Sequence, residues 1–281
     1  MRIALTGASG FIGRHLTVVA GHEWTRVSRR EGGFAISETK LDALVHLAGE
    51  SLMGFWSAGK KQRMWQSRVE LTKRLVEQLG TWKAENRPEV LVCASGAGFY
   101  GDRGEEPLDE SSTAGGGFLA ELCIEWEKTA RMAESLGMRV VTLRTGMVLG
   151  ADGGAFPLLR RVFGLGLGGR LGNGRQFMPW IHVDDAVALI LKAAGDSTLR
   201  GPLNLTAPQA VTNAEFTQTL ARVLKRPAFF HAPAFALKLL LRDMATEMFL
   251  GGQRVQPRVA LEHGHSFKHA TLESALRALV G

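Results

Sequence analysis

Five short apolar runs punctuate the first half of the chain, at Ile3 to Thr6, Trp24 to Ser28, Ala43 to Ala48, Val90 to Ala94 and Val140 to Leu143. Most are rich in Val, Ile and Leu without strict alternation, the pattern of strands buried on both faces of a parallel sheet. Between them the spacing switches to the helical period. From Ser57 to Leu79, the residues Met64, Leu71, Leu75 and Leu79 share one face, with Ser57 placed to cap the start and Gly80 to stop the end. From Ala120 to Leu136 the stripe runs through Leu122, Cys123, Trp126, Ala130 and Ala133, and Gly137 terminates it. Strands alternating with helices predict an α/β fold, a Rossmann-type doubly wound parallel sheet.

Two irregularities shape that expectation. The stretch Glu31 to Lys40 is too short for a helix-plus-strand crossover, so one βα unit is trimmed, and the first helix is short because Gly13 and Ser28 stand close together. After Gly150 the pattern becomes a glycine-rich loop and then a tail with helical stretches near Asn213 to Leu224 and Pro233 to Leu250. The expected division is a nucleotide-binding domain over 1–150, to which the chain returns around 176–206. A smaller C-terminal α/β substrate-side domain takes 151–175 and 207–281.

Composition narrows the class. The chain is 45% apolar and 22% charged with mean hydropathy near zero, which excludes disordered, collagenous and disulfide-scaffold readings. Seven glycines fall between Gly96 and Gly117 and ten between Gly146 and Gly174, where loops must bend sharply or lie close to a ligand. Cys93 and Cys123 match no metal or redox spacing, so a reduced, cytoplasmic protein is expected, with no targeting signal. No apolar run reaches eighteen residues; Ala232 to Leu241 is broken by Lys238, so no membrane span and no membrane partner are expected. The net charge of +7 comes from scattered cation pairs such as Arg160-Arg161 and Lys225-Arg226, which suits anionic small molecules better than nucleic acid. The clustered His263, His265 and His269 have one acidic neighbour, Glu262, and no metal is expected there.

The chemistry begins at Thr6-Gly7-Ala8-Ser9-Gly10-Phe11-Ile12-Gly13, directly after the first strand and opening the first helix. Gly7 permits a tight turn, Gly10 lets backbone approach a pyrophosphate, and Gly13 allows close packing, while the helix N-terminus offers N–H groups and a positive dipole end. At the end of the second strand an acidic residue would bind a ribose 2′-hydroxyl, and an arginine would accommodate a 2′-phosphate. The chain has Ser28-Arg29-Arg30 there, which favours NADP(H); Glu31 dissents, and serves the ribose of NAD if the strand ends later.

With this turn, Leu47-Ala48-Gly49, the stretch Ser95 to Gly101, Arg144 to Gly150, Pro179-Trp180-Ile181-His182 and Gly252 to Pro257, the sequence resembles the extended short-chain dehydrogenase/reductase superfamily. More closely it is similar to an atypical, nucleoside-diphosphate-sugar epimerase-like family, almost end to end. The resemblance implies that Leu47 and Ala48 present backbone under the cofactor's ribose and phosphates, and that the loop containing Val148 passes the nicotinamide. Arg68 is placed to reach a phosphate; its alternative is a solvated helix-face arginine.

The superfamily's usual Tyr-x-x-x-Lys pair is absent. Tyr100 is the sole tyrosine and Gly104 stands four residues later, while Leu119 and Cys123 occupy the places the resemblance gives the pair. Ser95 matches the family's active-site serine and would orient a carbonyl. Tyr100 is left either as an unassisted acid/base or as a pocket-lining residue. His182 and Asp184 would share a face of an extended segment, and Asp185 would cap a helix over Ala186 to Ala194. The expected function is an NADP(H)-binding oxidoreductase or epimerase-like protein acting on a small molecule. A cofactor-binding regulatory or sensor module is the alternative, and a nucleotide-sugar epimerase the third reading.

Overall fold

A computed structural model describes residues 1–31 and 33–281. The chain forms two compact units. The first takes 1–96, 121–144 and 187–203, and the second takes 97–120, 145–186 and 204–281. The boundary expected at 150 therefore falls differently: 97–120 and all of 145–186 belong to the second unit, because the segments following the strands at Gly96 and Thr145 pack with the tail.

The first unit is built on β1 (Arg2–Thr6), α1 (Phe11–Thr17), β2 (Glu23–Arg30), β3 (Gly33–Ala35), β4 (Ala43–His46), α2 (Ala58–Trp65), α3 (Leu71–Gly80), β5 (Val90–Gly96) and most of α4 (Phe118–Arg131), whose first three residues belong to the second unit. Its seven-stranded sheet runs Gly201–Leu205, Arg139–Thr145, β5, β4, β1, β2, β3. β1 pairs in parallel with both β2 and β4, so the winding reverses at β1. That reversal opens a crevice at the strands' carboxyl ends, where open α/β sheets bind their ligands. Among the described residues no helix lies between β2 and β3. The next element among the described residues is antiparallel β3, which is the trimmed unit expected from the short 31–40 stretch.

The helical expectation over 57–79 holds with one modification. Ser57 caps α2 by accepting the Lys60 N–H at 3.2 Å, and a single π turn over Gln66–Glu70 joins α2 to α3. Gly80 does not stop the helix: it is the last helical residue, and Thr81 ends it in ordinary right-handed backbone. Gly137, at φ 84°, does terminate the segment after α4. Leu75, Leu79, Leu44, Leu91 and Trp126 meet in the buried core between sheet and helices.

The second unit has its own core, centred on Leu149, Phe156, Trp180, Phe216, Leu220 and Leu276. Helix Asn213–Leu224 begins with a full capping box, Thr212 with Glu215. The helix expected over Pro233 to Leu250 is broken. It ends at Leu241, Arg242 takes φ 51°, and a π turn follows over Ala245–Leu250. The run before the break is apolar on every side, so periodicity had no face by which to locate it.

Candidate functional site

The turn after β1 has the form its sequence demands. Gly7 sits at φ 74°, and a Cβ there would lie 2.9 Å from the Leu47 carbonyl carbon and 3.0 Å from the Ala48 nitrogen, so Gly7 packs against the loop after β4. A Cβ on Gly13 would meet the Gly7 carbonyl oxygen and approach Ala8 Cα to 2.8 Å. Gly10 begins α1 with no side-chain cap, and no acidic residue stands in the helix's first turn. Phe11 and Ile12, half-buried, carry the chain into that helix. The result is a helix N-terminus whose backbone donors remain available to an anion.

Beneath this turn a buried hydrogen-bond chain joins β1, β4 and α3. Thr6 Oγ1 accepts the Ala48 N–H at 3.3 Å and lies 2.7 Å from His46 Nδ1; His46 Nε2 lies 3.1 Å from Thr72 Oγ1, which also accepts the Trp126 Nε1–H at 2.9 Å. The assignment that satisfies these groups has Thr6 donating to Nδ1 and His46 donating from Nε2. Burial, with a smaller contribution from the charge of Arg29, drives the His46 pKa down to about 3, so the ring is neutral.

Arg68 is neither a solvated helix-face residue nor directed outward. It lies buried in the π turn, donates from Nη2 to the Glu50 carbonyl at 2.8 Å and stacks its guanidinium 5.2 Å from the Trp126 ring centroid. A Cβ on Gly49 would come within 3.2 Å of the guanidinium carbon, so the arginine supports the Leu47-Ala48-Gly49 loop from below. Ser67 assists by accepting the Glu50 N–H at 2.9 Å.

β2 extends to Arg30, two residues past the expected end, yet its parallel pairing with β1 stops at Thr6↔Val27. Ser28 is thus the first residue beyond the parallel register, and Ser28, Arg29 and Arg30 are all exposed. Glu31 lies beyond the strand and lines an open groove with Arg30, Arg74, Glu77 and Gln78. The turn at Gly7 to Gly13, the loop Leu47 to Gly49, Arg68 and the Ser28-Arg29 pair therefore all belong to the first unit, at its switch-point edge.

Ser95, in β5, is buried and donates its hydroxyl proton to Glu127 Oε1 at 2.8 Å. Glu127 also binds Arg144 through two contacts, Nε to Oε1 at 2.9 Å and Nη2 to Oε2 at 3.0 Å. A hydroxyl has one proton, so the carbonyl-orienting role expected of Ser95 is corrected: in this geometry it has no proton left to donate to a substrate. Cys123, at the place of the missing lysine, has its thiol pushed up to about 11 by burial and by the nearby Glu127 charge.

Two site residues fall in the second unit. Tyr100 is fully buried, its hydroxyl 2.8 Å from Asn204 Oδ1 and 3.0 Å from the Asp109 carbonyl. The phenol is a packed post with no solvent-facing surface, which corrects the acid/base expectation. Val148 is also buried, on the strand Met147–Gly150, paired with Ile181.

The second unit also holds a cavity of about 250 Å³ lined by glycines, Leu119 and three carboxylates, Asp102, Asp243 and Glu247. Glu247 accepts the Phe118 and Leu119 N–H groups at 3.1 and 2.7 Å, a cap supplied to α4 from 128 residues away. Asp102 accepts the Gly252 N–H at 2.9 Å. Leu119, at the place of the missing tyrosine, thus faces a cavity whose ionisable groups are acids. Their pairing across such separations left no sequence signal.

Asp185 does not cap a helix. The helix begins at Val183, and the Asp185 carboxylate accepts the N–H groups of Lys268 and His269 at 2.7 and 2.9 Å, fastening the tail. His182 and Asp184 do meet, but through a strand-to-helix turn, the Asp184 N–H donating to His182 Nδ1 at 3.1 Å. His269 joins these two, rather than His263 and His265, in a group with metal-ligand spacing. Lys268 Nζ, 2.6 Å from Asp184, competes for its carboxylate, while the buried Nε2 atoms of His182 and His269 have no hydrogen-bond partner among the described residues.

Residues 3–204 match the model of the NAD dependent epimerase/dehydratase family, and residues 232–279 match a domain of unknown function, DUF1731. The Arabidopsis thaliana "Epimerase family protein SDR39U1 homolog, chloroplastic" is 39% identical across 100% of this chain and 87% of its own length. The crystal structure of human epimerase family protein SDR39U1 with NADPH superposes with a TM-score of 0.91 at 33% identity, covering 99% of each chain. The Corynebacterium glutamicum nucleoside-diphosphate sugar epimerase gives a TM-score of 0.78 at 31% identity, covering 100% of this chain and 58% of that one.

Proposed function

The chain belongs to the NAD-dependent epimerase/dehydratase family, and from that premise we propose that it is an NADP(H)-binding oxidoreductase of the epimerase-like type, acting on a small molecule. The observation that carries the cofactor is the switch-point edge of the first unit. There an uncapped helix N-terminus, the Gly7 contact with Leu47 and the Ser28-Arg29 pair just beyond the parallel register occur together. The pyrophosphate lies on the α1 N-terminus, the 2′-phosphate takes Arg29 and Ser28, and Arg68 holds the Leu47 to Gly49 loop that faces the ribose. The human relative solved with NADPH supports the same choice.

When bound, the cofactor supplies the hydride. This chain's residues exclude water, position the ligand and provide proton exchange. Ser95, Tyr100 and Cys123 are each committed or held protonated, and the ionisable groups that line the second unit's cavity are the carboxylates Asp102, Asp243 and Glu247. A cavity of this lining fits a small polar ligand with hydroxyl or amine donors. The two cysteines are buried free thiols, in keeping with a reducing, cytoplasmic setting, and no helix among the described residues is long and apolar enough to cross a membrane.

The same commitments favour a second reading, a cofactor-binding sensor without turnover. Incubation with NADPH and a panel of carbonyl compounds and nucleotide sugars separates the two. Loss of NADPH absorbance with a reduced product supports the oxidoreductase. Saturable NADPH binding with no product from any substrate supports the sensor. An isomerised sugar formed when NADP+ replaces NADPH, with no net gain of NADPH absorbance, revives epimerisation.

A further inference from the structure

The second unit carries an exposed apolar surface that the proposed function does not use. Helix Ala234–Leu241 buries none of its eight residues, and Phe235, Leu239 and Leu240 are 74%, 78% and 70% exposed. The strand just before it, Phe230–Ala232, extends the surface, with Phe229 at 90% exposure. This strand pairs in parallel with Gly169–Leu171, and the Phe230 N–H donates to the Gly168 carbonyl at 3.2 Å, which brings exposed Leu167 alongside. Single exposed apolar residues need no explanation, but a contiguous set on paired segments marks an interaction surface.

The two paired segments are themselves basic. Arg160, Arg161 and Arg170 stand on one segment, and Lys225, Arg226 and Lys238 on the other, all exposed. Neither 158–171 nor 225–242 contains an Asp or Glu. The Gly169–Phe230 pairing therefore brings side by side two segments that carry cations and no acids, in a chain whose net charge is +7.

We infer that this face docks on an anionic lipid bilayer. The apolar side chains enter the boundary between headgroups and acyl chains, and the flanking cations meet lipid phosphates. At eight residues the helix spans about 12 Å, far short of a bilayer core, so it lies on the surface. A second copy of the chain is disfavoured, because a symmetric contact would set six cations against six more. The sequence-based expectation of no membrane partner rests on the length of apolar runs, a criterion blind to a short exposed apolar helix that carries a cation.

The test is cosedimentation of the full chain with vesicles of phosphatidylcholine alone or with about 30% phosphatidylglycerol. The expected result is partition onto the anionic vesicles at least about tenfold above the neutral ones, weakening as salt is raised. Lys238→Glu should lower it by about fivefold or more, and Leu239→Ser with Leu240→Ser by about tenfold, with NADPH binding and Tm unchanged. Absence of partition at low salt, or equal partition onto both vesicles, overturns the proposal. So does a dimer in sedimentation velocity that the leucine variants dissociate, in a chain that binds no vesicle.

Discussion

Ser95 and Glu127 are joined by a 2.8 Å hydrogen bond in which the serine donates, and the same carboxylate holds the buried Arg144 guanidinium at two points. The serine that resembles an active-site residue is thereby part of a buried ion-pair network. Glu127→Ala leaves Arg144 buried without its partner and should cost about 3–5 kcal/mol of unfolding free energy. Ser95→Ala should cost about 1.5–3 kcal/mol, the value of a hydrogen bond to a charged group. Urea denaturation measures both. A Ser95→Ala protein of unchanged stability that has lost turnover would return the serine to the substrate.

Gly13→Ala places a methyl against the Gly7 carbonyl oxygen and Ala8 Cα, both backbone atoms that cannot swing aside. The turn must shift, and NADPH affinity should fall by about tenfold or more, equivalent to about 1.4 kcal/mol. Fluorescence titration of NADPH measures the loss.

His46 makes stability depend on pH in a fixed direction. Burial holds its folded pKa near 3, while the unfolded ring titrates around its ordinary 6.5. Below about pH 6.5 the unfolded chain takes up a proton that the folded chain refuses, so stability is full above that pH and declines as pH falls toward 3. His182, lowered by burial to about 4, adds to the same slope. His46→Gln should flatten the decline between about pH 6.5 and 4 in denaturation series at stepped pH. An unchanged slope would contradict the account.

Tyr100→Phe removes the hydroxyl bonded to Asn204 and leaves the buried amide oxygen short of a donor. A loss of about 1–3 kcal/mol in stability is expected, with NADPH affinity unchanged. A variant of full stability whose turnover collapses would make the phenol chemical after all.

What could be read from the sequence was local. The strand before Gly7, the spacing to Gly13, the stripe on α4 and the trimmed stretch at 31–40 each state their structure within a few neighbouring residues. What escaped depends on partners far apart in the chain. Ser95 gave no sign that its proton goes to Glu127, nor Asp185 that its carboxylate clasps Lys268 and His269, nor Glu247 that it caps α4. The broken helix at Arg242 and the paired basic segments were hidden for a related reason: an apolar run without period names no inward side, and distant segments meet only after strands pair.

Selection of NADP(H) at the edge of the first unit rests on Ser28 and Arg29, which stand just past the Thr6↔Val27 pairing. Direct titration of the wild-type chain and Arg29→Asp with NADPH and NADH tests it. Arg29→Asp should weaken NADPH by about 10- to 150-fold, the loss of a charge-assisted contact, and change NADH by less than about threefold. Equal losses for the two cofactors, or wild-type preference for NADH, would contradict the account.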